Sequence, residues 1–307
     1  MLHIENLTQI FPGPVTALSD VSLDIGPGLF GLLGPNGAGK STLMKVLSGL
    51  LAPTSGTVTL DGVDIVRDPA FVHARLGYLP QEFGLYPHLT GRQMLAFCLE
   101  LKGVRGRAPT AALADQLLAE VNLTFAADRK VATYSGGMRQ RLGLAQAISG
   151  DPRLVIVDEP TAGLDPGERQ RIYRLLSELG KSRIVILSTH LVEDVAVLCP
   201  RFAVLRGGRV VTVTSPTEAK RAIEGTVLEG RVAEDGLDAL YASHTVTQAF
   251  LVEGQIHARI HAPQGDAPPG FEVTAPTLED AFFLMMNATR GERDSGVGPA
   301  GAHEDAA

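Results

Sequence analysis

The chain has 307 residues, of which 45% are apolar and 20% are charged, as in globular proteins that bury a full core. Its formal charge of −7 at pH 7 argues against a nucleic-acid-binding protein, which normally carries a basic surface to neutralise phosphates. The N-terminus lacks the basic and apolar regions of a signal peptide, and the apolar stretches fall far short of the ~20 residues that span a bilayer. We expect a cytoplasmic protein with one large α/β domain and a small second one.

The beginning of the chain is predicted to form short strands separated by turns. An apolar run at residues 29–33 is typical of a buried strand, and a helix-forming segment follows from residue 40 to about residue 50. Residues 57–60 alternate as in a strand, which the Asp61-Gly62 turn ends.

Helical patterns replace strand patterns between residues 90 and 149. Thr90 and Gln93 form a capping box, and apolar residues then recur at helical spacing. The two cysteines of the chain, Cys98 and Cys199, sit among apolar neighbours and lack a CxxC partner. This favours buried free thiols over a disulfide or a zinc site.

Two further apolar runs, at residues 154–157 and 184–187, are predicted as buried strands. A helix is predicted between them, at residues 167–179. A strand, a crossover helix and a second buried strand imply a parallel sheet with helices on its faces.

The sequence changes in character after Gly225. Gln255–His261 alternates as in a strand, with His257, Arg259 and His261 on one side. Two histidines could suggest a metal site, but the fixed charge of the arginine between them favours a strand face exposed to solvent.

The C-terminal part contains one more helix pattern. Thr277 and Asp280 form a second capping box, which begins an apolar helix through residue 286. From Ala288 onward Gly, Ala, Pro and charged residues dominate, which predicts a disordered tail.

The most specific pattern is GxxxxGK[ST], the loop that binds nucleotide phosphates, between an apolar strand and a helix. Glycines let the backbone N–H groups wrap closely around phosphates, and the helix adds its positive N-terminal end. Lys40 is expected to contact the β- and γ-phosphates, and the hydroxyl of Ser41 to bind Mg²⁺. A glycine-rich turn matching by accident would lack the flanking elements. The predicted nucleotide-binding residues are Gly34, Pro35, Asn36, Gly37, Ala38, Gly39, Lys40, Ser41 and Thr42.

An acidic pair ends the predicted strand at residues 154–157. Asp158, at the end of a buried strand, suits a Mg²⁺ ligand, whereas Glu159 points elsewhere and suits a general base that polarises the attacking water. Surface strands also often end in acidic residues, so the pair alone is a weak signal. Together with the phosphate-binding loop it is a strong one.

Residues 134–138, Tyr-Ser-Gly-Gly-Met, resemble the signature motif of ABC (ATP-binding cassette) ATPases. A serine hydroxyl and glycine amides at a helix N-terminus would form a second anion-binding site. In isolation, a helix N-cap followed by a flexible Gly-Gly also explains the segment. Tyr134 and Met138 stand where the family commonly has Leu and Gln, and both departures spare the groups that would contact phosphate. The predicted nucleotide-binding residues are Ser135, Gly136 and Gly137.

Four further residues occur in the order that the ABC family requires. Phe11 occupies the place of the aromatic residue that stacks on adenine, although a core phenylalanine also fits there. The resemblance implies that Gln81 takes part in catalysis and senses Mg²⁺ and the γ-phosphate. It also implies that Asp165 acts at the nucleotide site across a dimer and that His190 contacts the γ-phosphate.

The resemblance covers residues 1 to about 220 and implies an α/β fold, the ABC cassette of the P-loop NTPases. This fold combines a parallel-sheet core, an antiparallel β subdomain and an inserted helical subdomain, here at about residues 85–145. The predicted domains are a cassette at residues 1–222, a small C-terminal α+β domain at 223–287 and a disordered tail at 288–307.

The resemblance further implies an ATP-binding and ATP-hydrolysing subunit of an ABC transporter, with ATP and Mg²⁺ as cofactors. The implied partners are a second copy or a homologous cassette in a head-to-tail dimer, and integral membrane permease subunits, with no nucleic acid. Such a subunit is cytoplasmic and lies on the inner face of the cell membrane through its permease. Short segments at residues 85–90, 215–220 and 278–282 look like the ABC-2 exporter branch, which favours export.

Other classes of protein share part of this pattern. A GTPase would need an NKxD motif, which the sequence lacks, and a small-molecule kinase would not need the signature motif or His190. A soluble ABC ATPase with a non-transport partner is the alternative. Its ribosomal kind usually has two cassettes, and its DNA-repair kind has long coiled coils or zinc cysteines. The transported substrate stays open, because the cassette rarely contacts the cargo.

Overall fold

The computed structural model describes residues 1–13, 15–233, 235–263 and 265–288. The chain divides into two compact units, with the division after Pro216, close to the boundary that the sequence predicts at residue 222. Most of the predicted tail, from residue 289 onward, lies outside the described residues. Within the described ranges, no helix combines the length and the hydropathy needed to cross a membrane.

The first unit contains two sheets, and a helical insertion separates its sixth and seventh strands along the chain. Its strands are β1 (Leu2–Phe11), β2 (Val15–Ile25), β3 (Gly28–Leu33), β4 (Ser55–Leu60), β5 (Val63–Asp64), β6 (Leu76–Leu79), β7 (Leu154–Asp158), β8 (Ile184–Thr189), β9 (Arg201–Arg206) and β10 (Arg209–Thr214). Its helices are α1 (Lys40–Leu47), α2 (Pro69–His73), α3 (Gly91–Leu101), α4 (Arg107–Glu120), α5 (Gly136–Ile148), α6 (Pro166–Gly180) and α7 (Val192–Leu198), with 3₁₀ turns at Thr124–Ala126 and Val131–Thr133.

The larger sheet has the strand order β10-β9-β3-β8-β7-β6 and is parallel except for β10. Every residue of β7 and β8 is buried, because helices cover both faces of a parallel sheet. The predicted parallel sheet is therefore confirmed. The carboxyl ends of β3, β7 and β8 open at one edge, so the loops that follow these three strands lie together.

The smaller sheet is antiparallel, in the order β2-β1-β4-β5. One hydrophobic core joins both sheets and α1, to which the helix contributes Leu43, Met44, Val46 and Leu47. Full burial of such a side chain contributes about 1.5–3 kcal/mol. The core therefore fixes the helix that follows the predicted phosphate-binding loop.

Among the boundaries that differ from the sequence predictions, two have a clear local cause. The helix α1 ends at Leu47 rather than near residue 50, because Gly49 adopts the left-handed conformation with φ +69°. The strand β4 begins at Ser55, two residues before the predicted start, since its pairing with β1 extends the ladder across Gly56.

The helical insertion consists of α3, α4 and α5. Its first helix begins with the predicted capping box, in which the N–H of Thr90 donates to Gln93 Oε1 at 2.9 Å and the N–H of Gln93 donates to Thr90 Oγ1 at 3.2 Å. Cys98 and Cys199 are buried free thiols, as predicted, and burial raises the pKa of both.

The second unit is an antiparallel sheet in the order β12-β13-β11-β14, with helices beside it. Its elements are β11 (Val227–Val232), α9 (Leu237–Ser243), β12 (Thr245–Val252), β13 (Gln255–His261), β14 (Phe271–Val273) and α10 (Leu278–Asn287). A short helix α8 (Pro216–Arg221) begins at the boundary between the units.

The prediction of a solvent-exposed face on β13 is wrong. Arg259 is only 7% exposed, and its guanidinium contacts Asp280 Oδ2 at 3.0 Å and Glu229 Oε2 at 2.7 Å. The carboxylate of Asp280 comes from the first turn of α10, so the charge of the arginine is neutralised inside the unit rather than by water. Within the described residues, no group of three His, Cys, Asp or Glu side chains is placed to hold a metal ion.

Asp280 is fully buried and also completes the predicted capping box. It accepts a hydrogen bond from the N–H of Thr277 at 2.8 Å and one from the hydroxyl of Thr247 on β12 at 2.5 Å. A buried charge is stable only when such donors surround it. This residue therefore connects α10 to the sheet.

Asp280→Asn is expected to lower the free energy of unfolding of the C-terminal unit by about 1–3 kcal/mol, because it leaves the buried Arg259 with Glu229 as its remaining carboxylate partner. Hydrogen exchange of the amides of β11 and β13 measures the change. Glu279→Gln, at the exposed neighbouring position of α10, is the matched control and should shift stability by less than about 0.5 kcal/mol. Equal protection in the two variants would contradict this role.

The same carboxyl gives the unit a defined pH dependence. Burial raises the pKa of Asp280, but hydrogen bonds from Thr247, Thr277 and Arg259 outweigh burial and hold the pKa below its usual value. A depressed folded pKa contributes stability above the unfolded value of about 3.9, and this stability is lost as the pH falls through the folded value. The unit should therefore lose stability below about pH 4, and less steeply in Asp280→Asn.

Candidate nucleotide-binding and hydrolysis site

The predicted phosphate-binding loop (residues 34–42, the phosphate loop) follows β3 and leads into α1. Lys40 is 7% exposed, and its ammonium donates to the carbonyls of Gly34 at 2.6 Å and Pro35 at 3.1 Å. The lysine therefore lies across the loop and closes it. Gly37 and Gly39 have φ values of +78° and +106°, which only glycine adopts without strain.

Neighbouring backbone packs closely against the phosphate loop from outside. A Cβ atom on Gly39 would lie 2.5 Å from the carbonyl oxygen of Ala17 on β2. The N–H of Gly208 donates to the carbonyl of Ala38 at 2.9 Å, and the N–H of Ser19 donates to the carbonyl of Gly208 at 2.8 Å. The loop is thus held by β2 and by the turn between β9 and β10.

The geometry of the phosphate loop suits a phosphate chain. The helix α1 begins at Lys40 without a side-chain cap, so its first N–H groups have no capping oxygen of their own. Gly37 has open space where a side chain would stand, whereas Ser41 is exposed and Thr42 is half-buried beyond the lysine. A cradle of amides beside a buried ammonium fits the triphosphate of a nucleotide.

The acidic pair at the end of β7 lies beside this lysine. Burial lowers the pKa of Lys40, while the charges of Glu159 and Asp158 act to raise it. Burial also raises the pKa of Asp158, and the positive charge of Lys40 opposes that shift. The three groups are therefore buried near one another, and Lys40 opposes the rise in the pKa of Asp158 that burial and Glu159 cause.

Glu159 adopts a conformation that is uncommon for any residue other than glycine. Its φ is +52°, and its N–H donates to the carbonyl of Ser188 on β8 at 2.9 Å. The Nδ1 atom of His190 lies 2.8 Å from Oε1 and 2.7 Å from Oε2 of this glutamate. The contact has hydrogen-bond geometry at Oε1, so the buried Oε2 is able to accept a hydrogen bond from a water molecule.

The segment that resembles the ABC signature (residues 134–138, the signature segment) begins α5. Ser135 is the N-cap, and its Oγ accepts the N–H of Met138 at 3.2 Å. Ser135 and Gly136 are exposed, whereas Gly137 packs so closely on Glu168 of α6 that a Cβ atom would lie 2.5 Å from its Cγ. Among the described residues, no hydrogen bond joins this segment to the phosphate loop.

Tyr134 is buried although it replaces the leucine that is common in the family. Its hydroxyl donates to the carbonyl of Ala126 at 2.8 Å and fills the space beside Gly91, where a Cβ atom would overlap it. The departure from the family pattern is therefore accommodated inside the helical insertion, and it leaves the exposed face of the signature segment unchanged.

The remaining predicted residues lie in separate parts of the first unit. Phe11 is half-buried at the end of the β1–β2 hairpin, paired with Val15, and is not part of the hydrophobic core. Gln81 is exposed and lines a cleft of about 650 Å³ together with Gly136 of the signature segment. Asp165 caps α6 by accepting the N–H of Glu168 at 2.9 Å.

Sequence reasoning missed an ion pair that holds the signature helix. Arg141 of α5 is buried, and its Nε donates to Glu168 of α6 at 3.1 Å. Its NH1 donates to the carbonyls of Val121 and Asn122. The arginine is visible in the sequence, but its partners are distant along the chain and no local pattern identifies them.

A family model described as ABC transporter matches residues 18–162. The linearmycin resistance ATP-binding protein LnrL of Bacillus subtilis is 36% identical over 255 residues, which cover 82% of this chain and 78% of LnrL. ABC transporter A family member 10 of Arabidopsis thaliana is 37% identical over 230 residues, or 72% of this chain. The chain spans about a quarter of the length of that plant relative.

Solved structures with the same architecture are also ATP-binding cassettes. A dimeric cassette in a post-hydrolysis state, bound to ADP and Pi, has a TM-score of 0.64 and 26% identity, covering 70% of this chain and 98% of that one. The cassette cbiO1 of Clostridium perfringens has a TM-score of 0.66 and 27% identity, covering 71% of this chain and 89% of that one. The predicted fold class is thereby confirmed.

Gly91→Ala is expected to lower the free energy of unfolding by about 1–3 kcal/mol, because the new methyl group would overlap the Tyr134 hydroxyl in a packed interior. Tyr134→Phe removes that oxygen and leaves the nearest ring carbon at 3.2 Å. The glycine substitution should therefore be less damaging when combined with Tyr134→Phe. A double-mutant cycle measured by urea unfolding tests this coupling.

Gly84→Ala is the control for that cycle, since the position has open space around an added Cβ atom. It should change stability little, alone or together with Tyr134→Phe. Strictly additive effects of Gly91→Ala and Tyr134→Phe would contradict the proposed packing.

Proposed function

Because the chain belongs to the ABC transporter family and is an ATPase of that family, we propose that it uses ATP hydrolysis to drive transport through separate membrane subunits. The observation that carries the proposal is the convergence of four groups at one sheet edge. Lys40, Asp158 and Glu159 are buried together, and His190 lies against the glutamate. This set can bind a phosphate chain and activate a water molecule beside it.

The phosphate loop would hold ATP through its amides and Lys40. Ser41, Gln81 and Asp158 are the proposed Mg²⁺ ligands, and a bound Mg²⁺ would neutralise charge on the transferred phosphate. Phe11, half-buried and outside the core, offers a ring for adenine at the end of the hairpin whose second strand supports the loop.

Glu159 is the proposed general base. Its Oε2 is a buried acceptor, and the backbone strain at φ +52° holds it away from the strand direction. His190 would orient the glutamate through Nδ1 and contact the γ-phosphate from its exposed side. Proton transfer from water to a positioned carboxylate is the step that these residues would perform.

The signature segment is proposed to act on a nucleotide held by another subunit. Ser135 and Gly136 are exposed at the N-terminus of α5, so they are accessible to an anion. A relative was solved as a dimer with ADP and Pi. We therefore propose a head-to-tail dimer, with a second copy or a homologous cassette, in which Asp165 lies at the shared site.

The membrane subunits are proposed to dock on an aromatic patch of the helical insertion. Tyr86 and Phe97 are exposed, and their rings meet edge to face with centroids 5.5 Å apart. Leu89, three residues after Tyr86, is hydrogen-bonded to the segment that leads into the signature segment. The N–H of Val131 donates to its carbonyl at 2.9 Å. Through this hydrogen bond, a movement of the membrane subunit against the patch would be transmitted to the segment that carries Ser135.

We propose that the direction of transport is export. We also propose that the chain is a peripheral protein on the inner face of the cell membrane. The support is the resemblance of short segments to the ABC-2 branch and the name of the LnrL relative, a resistance protein. Removal of a toxic compound is the simplest source of resistance, so a drug-like cargo is the leading candidate.

Glu159→Gln should still bind ATP in the presence of Mg²⁺ but lose hydrolysis by roughly two orders of magnitude or more, the scale for a positioned base. Calorimetry measures the binding and phosphate release measures the rate. Glu178→Gln, at an exposed carboxylate of α6, is the matched control and should retain the wild-type rate. Near-normal turnover of Glu159→Gln would sink this assignment.

The same variant tests the dimer. Glu159→Gln with ATP should elute as a dimer in size-exclusion chromatography, and ADP should not support it, because the bridging γ-phosphate is missing. Adding Ser135→Arg should abolish the dimer. A strictly monomeric wild-type chain with full hydrolytic activity would refute the shared site.

Phe97→Glu should remove the membrane partner by placing a charge in the aromatic patch. The tagged full chain, extracted with mild detergent from its own cells, should copurify an integral membrane protein, and this variant should not. Phe125→Glu, at an exposed phenylalanine elsewhere in the insertion, should retain it. Copurification of a soluble partner alone would favour the non-transport alternative.

A further inference from the structure

A buried cluster of hydroxyl groups lies directly beneath the Glu159–His190 pair. At its centre is Asp194 of α7, which is 0% exposed. Its Oδ2 accepts hydrogen bonds from the hydroxyls of Thr161 at 2.6 Å and Thr189 at 3.1 Å, and its Oδ1 accepts one from Tyr173 at 2.6 Å. Three elements and one loop of the first unit therefore meet at a single carboxylate.

The donors of this cluster occupy informative positions along the chain. Thr161 lies two residues after Glu159, and Thr189 immediately precedes His190. Tyr173 comes from α6, which begins just after the loop that carries Thr161. The carboxylate thus connects the loop after β7 with the loop after β8, where the two reactive side chains stand.

The backbone alone does not hold these loops together. The pairing of β7 with β8 ends at Asp158 and Ser188, although β8 stays paired with β3 through Thr189. Within the described residues, the bond from the N–H of Glu159 to the carbonyl of Ser188 is the last backbone hydrogen bond between the segments that follow β7 and β8. Beyond it, the hydroxyl of Thr189 accepts the N–H of Leu191 at 3.0 Å while donating to Asp194. Beyond the end of the β7–β8 pairing, side-chain hydrogen bonds to Asp194 connect the two segments.

A buried carboxylate is a poor way to gain stability. Removing such a group from water costs several kcal/mol, and apolar packing of the same volume often serves the fold as well or better. What a satisfied buried polar cluster does provide is directional bonding, which fixes the relative position of the groups that donate to it. Two of the three donors are threonine hydroxyls, whose short side chains transmit their position to the backbone.

We propose that Asp194 is a positioning residue for ATP hydrolysis, which sets the separation of Glu159 and His190 through the hydroxyls of Thr161 and Thr189. This inference rests on the proposed function of the site. His190 has a side chain that is 46% exposed, and its contact with Glu159 at 2.7–2.8 Å is short. Such a contact needs both loops to be held from below, since an error of about 1 Å can reduce a rate by about a hundredfold.

Thr161→Val and Thr161→Ser form the decisive comparison. Valine has nearly the shape of threonine but no hydroxyl, whereas serine keeps the hydroxyl and loses a methyl group. Thr161→Val should lower kcat about ten- to a hundredfold and leave KM and ATP affinity within about twofold. Thr161→Ser should retain at least about half of the wild-type kcat. Tyr173→Phe, which removes only an oxygen atom, should lower kcat in the same direction.

Glu193→Gln is the matched control, because Glu193 neighbours Asp194 in the sequence but forms an exposed ion pair with Arg169. It should leave kcat unchanged. Steady-state phosphate release, calorimetry with the slowly hydrolysed analogue AMPPNP and Tm are measured on every purified full-length variant. A Tm drop with unchanged kcat in Thr161→Val, or equal losses of kcat in the valine and serine variants, would overturn the inference.

The outcomes separate this inference from the proposed function. If the wild-type chain hydrolyses ATP and Glu159→Gln does not, yet Thr161→Val and Tyr173→Phe keep full kcat, the inference alone fails. If the wild-type chain does not hydrolyse ATP, the proposed function fails and the inference with it. If Thr161→Val does not fold, unchanged kcat in Tyr173→Phe overturns the inference and a selective loss of kcat supports it.

Discussion

The burial of Lys40 beside Asp158 and Glu159 is the constraint on which the site depends. An ammonium group taken out of water is costly unless it is hydrogen-bonded and opposite charges lie near. Here the carbonyls of Gly34 and Pro35 accept its hydrogen bonds, and the charges of the two carboxylates at the end of β7 act on it. This requires β3 and β7 to flank β8 in a parallel sheet, so that the loops after these strands share one edge. The buried strands therefore do more than fill a core, because they set the distances between charges that water screens poorly.

The two anion-binding elements of the chain differ in their physical character. The phosphate loop is closed by a buried lysine and packed against β2, whereas the signature segment is an exposed helix N-terminus, beside which Arg139 donates to the carbonyl of Tyr134. Backbone amides attract an anion weakly while water competes for it, and strongly once a second surface excludes that water. This difference supports the proposed shared site between two subunits.

Local patterns predicted the elements that local physics determines. The apolar runs that form β3, β7 and β8, both capping boxes and the glycines of the phosphate loop depend on neighbouring residues, and the sequence identified them. The prediction that Arg259 is exposed is wrong, because its partner Asp280 lies on another element. The alternation of residues along one strand cannot identify such a partner. Glu159 illustrates the same limit: the sequence suggested a base, but its left-handed backbone and its contact with His190 follow from strand pairing.

Residues that react and residues that position them have opposite requirements for solvent. His190 and Ser135, which are proposed to contact a ligand, are exposed, so their own packing does not hold them in place. Tyr134 and Asp194 are buried directly behind them and make short hydrogen bonds to fixed backbone or to hydroxyl groups. In each case a polar group is buried where an apolar one would fill the space. Its hydrogen bonds fix the position of neighbouring groups, whereas they add little to the stability of the fold. The positions of the exposed side chains of Ser135 and His190 therefore depend on the hydrogen bonds of the buried residues behind them.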